Sequence, residues 1–193
     1  MRFEWTRLSR ELLLRTPVYH VFKEPHSHPD IAAPIDFCLL ESRDWANVIA
    51  VDTDSIRDSR ARMLWVKQYR VGTESVTWEI PGGSCDEGDA DPLHAAQREL
   101  TEETGATARR WLHLGSMSPN AATHRNQVHT YLALGCSVAD DVLPLGDSRE
   151  VLERQWLPFS QRYDRVLDGK VNHALVVAAF GLLEAHLSKG HAL

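Results

Sequence analysis

The sequence is poor in the features that mark secreted, membrane-spanning and nucleic-acid-binding proteins. It has only three cysteines in 193 residues, an odd number without metal-ligand spacing, which is typical of reduced thiols in the cytoplasm. No apolar run approaches the roughly 20 residues needed to cross a bilayer, and the N-terminal residues lack a signal-peptide core. The net charge of −6 argues against a nucleic-acid-binding surface. We therefore expect a cytoplasmic protein with neither membrane nor nucleic-acid partners.

The chain also lacks internal repeats, low-complexity tracts and a Pro- or Ser-rich linker. Its length suits a single domain, residues 1–193, and an apolar content of 43% is sufficient for a full core. The predicted strands are Val18–Lys23, Phe37–Glu41, Asn47–Asp52, Ala61–Tyr69, Val76–Ile80, Trp111–Ser116, Val128–Leu134 and Glu153–Leu157, with a turn-rich loop at Pro25–Pro29 and a long apolar helix at Asn172–Leu187. Strands mixed with two main helices indicate an α/β protein.

The second main helix follows a glycine turn and has clear end signals. Asp91 is a suitable N-cap, Pro92 fits the first helical position, and Gly105 can take the left-handed conformation that ends a helix. At roughly 100° per residue, one side of this helix faces the core. The residues of that side are Leu93, Ala96, Leu100 and Thr104.

The adjoining face of this helix carries Glu99, Glu102 and Glu103, spaced i, i+3 and i+4. Like charges at these spacings oppose helix formation by roughly 0.2–0.5 kcal/mol per pair, and Arg98 can pair with Glu102 and fix its rotamer. One interpretation is a solvated acidic face. The preceding turn, Pro81-Gly82-Gly83, favours a metal site instead, because a backbone carbonyl there can join the carboxylates around a hard cation. We therefore favour magnesium-assisted chemistry on a phosphate ester.

This segment resembles the Nudix box, G-x5-E-x7-R-E-U-x-E-E-x-G-U, where U is an apolar residue. The second half is intact from Arg98 to Ala106, whereas the first acidic position is Asp89 instead of Glu. Eight residues, instead of seven, separate Asp89 from Arg98, and we expect the loop around Ala90 and Asp91 to hold the extra residue. The resemblance implies a Nudix-type α/β/α sandwich with a mixed β-sheet and an additional N-terminal β-sheet region.

The resemblance also implies a metal centre. By carry-over from the family, the cofactor would be Mg²⁺, for which Mn²⁺ can substitute, and Arg98 would belong to the catalytic set with the glutamates. The implied metal ligands are the carboxylates of Glu99, Glu102 and Glu103 and the backbone carbonyl of Gly83.

The run before the box resembles the ADP-ribose pyrophosphatase branch of the family. Gln68-Tyr69-Arg70 and then Trp78–Gly83 carry this likeness, and it implies that Arg70 and Glu79 bind substrate. A guanidinium group such as that of Arg70 suits a diphosphate by its geometry. The strands within residues 1–45 resemble the extra sheet that relatives often exchange between subunits, which implies a homodimer. Residues 46–193 would then form the catalytic Nudix core.

Residues after the box supply further candidates, each with a plainer alternative. Asn126 and His129 fall where relatives place a substrate loop and the following strand, and the alternative is a capped turn and a strand histidine. Glu150 and Glu153 fall where many relatives supply a base or an extra metal ligand, although Glu153 can equally be an exposed strand residue. We interpret His173 as a polar residue at a helix start rather than as a catalyst.

The predicted function is hydrolysis of the pyrophosphate bond of a nucleoside diphosphate joined to another moiety. With ADP-ribose or a nucleotide sugar, the products would be a nucleoside monophosphate and a sugar phosphate. A bound cation would neutralise phosphate charge and acidify a water, and a nearby carboxylate would take the proton. Two alternatives stay open: a pyrophosphatase for oxidised nucleoside triphosphates, and a Nudix-fold domain that senses a nucleotide without cleaving it. The presence of Glu99, Glu102 and Glu103 favours an enzyme over a domain that only senses a nucleotide.

Overall fold

The computed structural model describes residues 3–138 and 151–190. These residues group into two compact units. The first unit comprises Met1–Asp44 and Ser118–Gln127, and the second comprises Trp45–Met117 and Val128–Leu193. Within the described residues, no helix is both long and apolar enough to span a membrane.

The first unit is built on an antiparallel sheet of four strands. The strands are β1 (Thr6–Arg7), β2 (Glu11–Arg15), β3 (His20–Ser27) and β4 (Ile35–Glu41). Strand β3 pairs with each of the other three. The prediction of a turn-rich loop at Pro25–Pro29 is wrong in its first half, because β3 continues through Pro25 to Ser27. Proline has no N–H to donate, but the carbonyl of Pro25 accepts a hydrogen bond from the amide of Leu8 at 2.9 Å, and this extends the sheet.

The segment Ser118–Gln127 is attached to this sheet by backbone and side-chain bonds. The amide of Leu40 donates to the carbonyl of Thr123 at 2.8 Å, and the amide of Arg125 donates to the carbonyl of Leu40 at 3.0 Å. The carboxylate of Glu24 is fully buried and accepts a hydrogen bond from the guanidinium of Arg125. Since a buried carboxylate needs a paired cation, this ion pair ties the segment firmly to β3.

The second unit contains the remaining strands and the helices. The strands are β5 (Trp45–Val51), β6 (Arg62–Arg70), β7 (Ser75–Glu79), β8 (Gly82–Ser84), β9 (Ala106–Thr107), β10 (Arg110–Met117), β11 (Val128–Leu134), β12 (Ser137–Val138) and β13 (Leu152–Pro158), and the helices are α1 (Pro92–Thr104), α2 (Arg162–Leu167) and α3 (Ala174–Ser188). A sheet runs in the order β10-β11-β5-β6-β13, with β7 paired to β6 and β8 paired to β5. The sheet is mixed, because β11 and β5 are parallel whereas the other pairs are antiparallel.

Helices α1 and α3 cover opposite faces of this sheet. Successive side chains of a strand point to opposite faces. In β5, Ile49 packs in one apolar cluster with Phe180 of α3, whereas Val48 packs in a second cluster with Leu100 of α1. The prediction of an α/β/α sandwich with a mixed sheet is therefore confirmed. Trp65 is buried in the core beside Phe180.

Every strand predicted from the sequence overlaps an observed strand, and the predicted apolar helix corresponds to α3. The strands that sequence patterns missed are short or exposed. Strand β2 is exposed along its whole length, and β1, β9 and β12 have two residues each. Such strands carry too few alternating residues to be recognised from periodicity.

Candidate active site

A cavity of about 720 Å³ opens in the second unit and is lined by residues of α1 and by residues at the start of α3. Cavities of this size are typical of small-molecule sites. Glu99 and Glu103 of α1 line it, together with Gly83, and on the α3 side it is lined by Asn172 and His173. The acidic helix predicted from the sequence therefore borders this cavity.

Helix α1 begins and ends where the sequence predicts. The Asp91 side chain accepts a hydrogen bond from the amide of His94 at 2.9 Å, and Pro92 occupies the first helical position. Gly105 ends the helix with a φ of 67°, in the left-handed region. These caps fix the phase of the helix, so that Glu99 and Glu103 lie one turn apart on the side that borders the cavity.

The Gly82-Gly83 turn lies directly against these two carboxylates. The amide of Gly82 donates to Glu103 Oε2 at 2.9 Å, and Glu103 is only 4% exposed. A Cβ atom added at Gly83 would lie 2.5 Å from Glu99 Oε1. Because that distance is closer than real Cβ contacts, a side chain at residue 83 would displace the Glu99 carboxylate from its present position.

Arg98 is the centre of a polar network behind the carboxylates. Its Nε and Nη2 donate to the two oxygens of Asp89 at 3.1 and 2.9 Å, and its Nη1 donates to Glu99 at 2.8 Å and Glu102 at 3.0 Å. A further bond runs from Nη2 to the carbonyl of Ser84 at 2.8 Å. The hydrogen bonds with Asp89 raise the pKa of Arg98, and the same bonds lower the pKa of the Asp89 carboxyl. Arg98 thus orients Glu99 and Glu102, and the predicted pairing with Glu102 is present.

The loop before α1 holds the extra residue of the box. A turn closes over residues 86–89, in which the amide of Asp89 donates to the carbonyl of Asp86 at 3.1 Å. The amide of Asp86 in turn donates to Asp89 Oδ2 at 2.8 Å. Since the helix starts only at Pro92, the insertion leaves the phase of α1 unchanged. Asp89 consequently reaches Arg98 in spite of the longer spacing.

Arg70 and Glu79, both predicted to bind substrate, line the cavity as a pair. Arg70 donates to the Glu79 carboxylate through Nε at 2.8 Å and Nη2 at 2.7 Å. Glu79 is only 3% exposed, whereas the Arg70 side chain is 41% exposed. The paired geometry holds the guanidinium group in one orientation at the edge of the cavity, where it can still offer donors to a ligand.

The cavity lining includes Asn47, which was not predicted as a site residue, and His173, which the sequence indicated only as a polar residue at a helix start. His173 precedes α3 without forming a capping hydrogen bond, and its Nδ1 lies 3.9 Å from Glu79 Oε2. Burial lowers the pKa of His173. No sequence pattern signals either residue, because each reaches the cavity only through the packing of β5 or of α3.

The other predicted site residues lie elsewhere among the described residues. Glu102 has a side chain that is 44% exposed and is not part of the cavity lining. Glu153 pairs with Lys67 Nζ at 3.0 Å and is 63% exposed, as expected for an exposed strand residue. His129 bonds to Ser116 Oγ at 2.7 Å. The roles assigned to these residues from the sequence stay predictions.

Two further candidates cannot be related to the cavity. Asn126 belongs to the first unit, where it is buried and neither polar atom of its side chain has a hydrogen-bond partner. Glu150 lies outside the described residues.

A mixed sheet between two helices, with one helix presenting carboxylates to a glycine turn, defines the class of Nudix-type α/β/α proteins. Residues 47–180 match the family model described as NUDIX domain. The chain therefore belongs to the Nudix family, as the sequence motif predicted.

Curated proteins with similar sequences come from several bacteria. The chain is 33% identical over 115 residues to a CMP-5'-(N-acetyl-N-hydroxy-3-aminopropyl)phosphonate hydrolase of Streptomyces rubellomurinus, covering 60% of this chain and 54% of the relative. It is 33% identical over 94 residues to an ADP-ribose pyrophosphatase of Bacillus subtilis, covering 48% and 50%. It is 29% identical over 132 residues to a methanol dehydrogenase activator of Bacillus methanolicus, covering 67% and 69%. The chain spans about half the length of the first two relatives.

One solved structure, described as an ADP compounds hydrolase, matches with a TM-score of 0.75. The match covers 98% of this chain and 97% of that chain, at 23% sequence identity. At this identity the likeness shows a shared fold. Together with the Bacillus subtilis relative, it confirms the predicted resemblance to the ADP-ribose pyrophosphatase branch.

Nudix hydrolases generally use divalent metal ions, and the residues at the cavity fit such an ion. Residues 3–138 and 151–190 contain no group of three or more His, Cys, Asp or Glu side chains that is already arranged around a point. The close approach of Gly83 to Glu99, with Glu103 beside it on the cavity wall, supplies oxygen donors of the type that hard cations prefer.

Proposed function

We propose that this protein is a Mg²⁺-dependent hydrolase that cleaves the pyrophosphate bond of a nucleoside diphosphate joined to another moiety. With ADP-ribose or a nucleotide sugar, the products are a nucleoside monophosphate and a sugar phosphate. The observation that carries this proposal is a single cavity lined by Glu99 and Glu103, by the Gly83 turn and by the Arg70–Glu79 pair. Carboxylates beside an oriented guanidinium suit a metal-bound diphosphate.

The roles of the residues follow from their positions. Glu99, Glu103 and the Gly83 carbonyl would hold the cation, for which Mn²⁺ can substitute. When bound, the cation supplies charge neutralisation at the phosphate oxygens and lowers the pKa of a coordinated water. Arg98 keeps Glu99 in place through its bond of 2.8 Å. The Arg70 guanidinium, oriented by its two hydrogen bonds to Glu79, would donate to the diphosphate.

The identity of the group that takes the proton from water is part of the proposal. A carboxylate within hydrogen-bond reach of the attacking water can act as the general base. Glu150 and Glu153 are the candidates predicted from the sequence. Glu153 accepts a hydrogen bond from Lys67 through Oε2 at 3.0 Å, and a carboxylate bound through one oxygen can still take a proton on the other.

The names of two relatives support the substrate class. One is an ADP-ribose pyrophosphatase and the other hydrolyses a CMP-linked phosphonate, and both names describe a nucleotide joined to a second moiety. These names favour a substrate with a second moiety over an oxidised nucleoside triphosphate. The polar α3 side of the cavity, with Asn172 and His173, gives such a moiety hydrogen-bonding partners.

We also propose that the chain acts in the cytoplasm as a homodimer formed through its N-terminal strands. The leucines of β2 support the dimer, because Leu12, Leu13 and Leu14 are 38%, 52% and 56% exposed. Adjacent exposed leucines are typical of a protein–protein interface. The cysteines of the described residues are all free, which suits a reducing compartment.

The test is a hydrolysis panel with Mg²⁺, containing ADP-ribose, UDP-glucose, GDP-mannose, a dinucleoside polyphosphate and an oxidised dNTP. We expect the highest kcat/KM for one of the first three compounds. Glu103→Gln should lower kcat about a hundredfold or more, because it removes a charge from the cation site. The control is Glu87→Gln, which makes the same change at an exposed position of the loop before α1. A preference for the oxidised dNTP would contradict the substrate class, and near-normal turnover of Glu103→Gln would contradict the metal role.

A further inference from the structure

Three arginines surround the buried carboxylate of Glu24 in the first unit. Nη1 of Arg7 lies 3.7 Å from Oε1, Nε of Arg10 lies 3.2 Å from the same oxygen, and Nη2 of Arg125 donates to Oε2. A single guanidinium group can pair with a carboxylate through two parallel hydrogen bonds. Neutralising Glu24 therefore accounts for one of these arginines, and the presence of the other two needs a further reason.

The three guanidinium groups lie at the surface, next to one another. The side chains of Arg7, Arg10 and Arg125 are 48%, 31% and 38% exposed, whereas the Glu24 side chain is fully buried. The arginines therefore cover the carboxylate and are themselves accessible to solvent. Because all three contact the same carboxylate, their exposed edges are close enough for one ligand group to contact more than one of them.

These three groups have many hydrogen-bond donors that the protein does not use. A guanidinium group carries five N–H donors. Within the part of the chain that the structure describes, Arg10 donates to Glu41 Oε2 at 2.7 Å, and Arg125 donates to Glu24. The guanidinium of Arg7 contacts Glu24 at 3.7 Å and donates no hydrogen bond to any described residue. Most of the N–H groups can therefore donate to a ligand.

The cluster is held in place and carries positive charge. Phe22 and Glu24 share one face of β3, and Cζ of Arg10 lies 3.5 Å from the centroid of the Phe22 ring, which fixes this guanidinium group from a second side. With histidine neutral, the three arginines exceed the carboxylates of Glu24 and Glu41 by one positive charge, although the net charge of the whole chain is −6. Oriented donors with an excess of positive charge are typical of an anion site.

A phosphate group suits this cluster better than a carboxylate does. A phosphate monoester has three acceptor oxygens and a charge of about −1.5 to −2, so that it can accept from several guanidinium groups at once, whereas a carboxylate has two oxygens and a charge of −1. We propose that Arg7, Arg10 and Arg125 form a binding site for a phosphate group, either inorganic phosphate or a phosphate monoester. None of these three residues lines the cavity, so that the site is additional to the proposed active site and does not depend on the proposed function.

The experiment titrates the full chain with inorganic phosphate in EDTA, while NaCl keeps the ionic strength constant. The arginines are isotopically labelled, and NMR follows the Nε–H signal of each one, assigned by substituting single arginines with lysine. We expect the signals of Arg7, Arg10 and Arg125 to shift along one saturating curve. The signal of Arg15, an exposed arginine of β2 outside the cluster, should not shift. Because each arginine is observed separately, phosphate bound at Arg70 in the cavity is distinguished from phosphate bound at the cluster.

Arg7→Gln is the test variant, because Arg7 has the longest contact with Glu24 and its removal leaves that carboxylate beside Arg10 and Arg125. It should weaken phosphate binding about tenfold, since it removes a charged donor to the anion. Arg15→Gln is the matched control and should bind phosphate as the wild type does.

Three results would overturn the site. The first is a set of cluster signals that shift no more than that of Arg15, or that shift without saturation, and the second is an unchanged affinity in Arg7→Gln. The third is tighter binding of succinate than of phosphate at the same signals, which would assign the cluster to carboxylates.

Kinetics separate this site from the proposed active site. In phosphate-free buffer with Mg²⁺, Arg7→Gln should hydrolyse ADP-ribose with the KM of the wild type. A rise in KM of about tenfold would show that the phosphates of the substrate itself bind the cluster, and it would overturn an additional site. If the wild type hydrolyses no compound of the panel but the arginine signals respond to phosphate as expected, the phosphate site stands and the proposed function fails.

Discussion

Replacing Gly83 by alanine tests whether the glycine turn exists to admit the Glu99 carboxylate. An added Cβ would lie 2.5 Å from Oε1, 2.6 Å from Cδ and 2.8 Å from Oε2 of Glu99. To restore an ordinary contact of 3.4 Å, the carboxylate must retreat by about 1 Å. Gly83 does not have a positive φ, so that alanine adds no backbone strain and the carboxylate is the part that moves.

A misplacement of about 1 Å at a reacting centre can lower the rate about a hundredfold. An off-rotamer Glu99 side chain costs only about 0.5–1.5 kcal/mol of folding free energy. We therefore expect Gly83→Ala to reduce kcat/KM for the best substrate about a hundredfold while Tm falls by only a few degrees. The measurements are steady-state kinetics over a series of Mg²⁺ concentrations and thermal unfolding by circular dichroism.

The matched control is Gly88→Ala in the same loop, because a Cβ there meets nothing within 4 Å. Its activity and Tm should equal those of the wild type. If Gly83→Ala keeps more than half of the wild-type kcat/KM, the close approach of the turn to Glu99 has no functional importance. If both variants lose activity equally, the loss is caused by reduced flexibility of the loop, and displacement of the Glu99 carboxylate does not explain it.

Three other predictions concern stability, assembly and reactivity. Asp89→Asn should destabilise the fold by about 1–2 kcal/mol at pH 7, because Asp89 bonds to Arg98 through both oxygens. Since those bonds lower the pKa of Asp89, the difference in stability between wild type and variant should be constant above about pH 4 and vanish as the pH falls through the folded-state pKa. Denaturant titrations at pH 7 and pH 2.5 measure this difference. Leu13→Lys should convert a dimer into a monomer of 21.8 kDa in sedimentation velocity, and a wild type that already sediments as a monomer would contradict the proposed interface. Burial raises the pKa of the Cys136 thiol to about 12, so that only about one thiol in ten thousand is a thiolate at pH 8. The native protein should therefore resist labelling of Cys136 by DTNB at this pH. Rapid labelling of native Cys136, located by mass spectrometry, would show that the structure around this thiol opens.

Much of the acidic helix could be predicted from the sequence, because its signals are local. Asp91, Pro92 and Gly105 act on neighbouring backbone groups, so that their identity defines the bounds of α1 without knowledge of the rest of the fold. The face that carries the glutamates then follows from the helical period. The same applies to the strands of the core, whose apolar runs are long enough to be read directly.

The α3 side of the cavity could not be predicted, because it depends on contacts that are distant in sequence. His173 reaches the cavity through bonds between residues 170–172 and β7, which is more than 90 positions earlier in the chain. Asn47 lies in a run of buried apolar residues, where a single polar residue has no local signature. The pairing of Glu24 with Arg125 is equally invisible in the sequence, since the partners are separated by 101 residues.

The arrangement around Arg98 explains how the acidic face of α1 can be stable before a ligand binds. One guanidinium group contacts Asp89, Glu99 and Glu102, so that a single cation offsets part of the repulsion among carboxylates that are close in space. Glu103 is not among these contacts and instead accepts the amide of Gly82, on the wall of the cavity. The Glu103 carboxylate is therefore held by the backbone, while Glu99 and Glu102 are held by Arg98. This division leaves negative charge facing the cavity in a fixed position, which is what a site must do if it is to bind a cation without first rearranging.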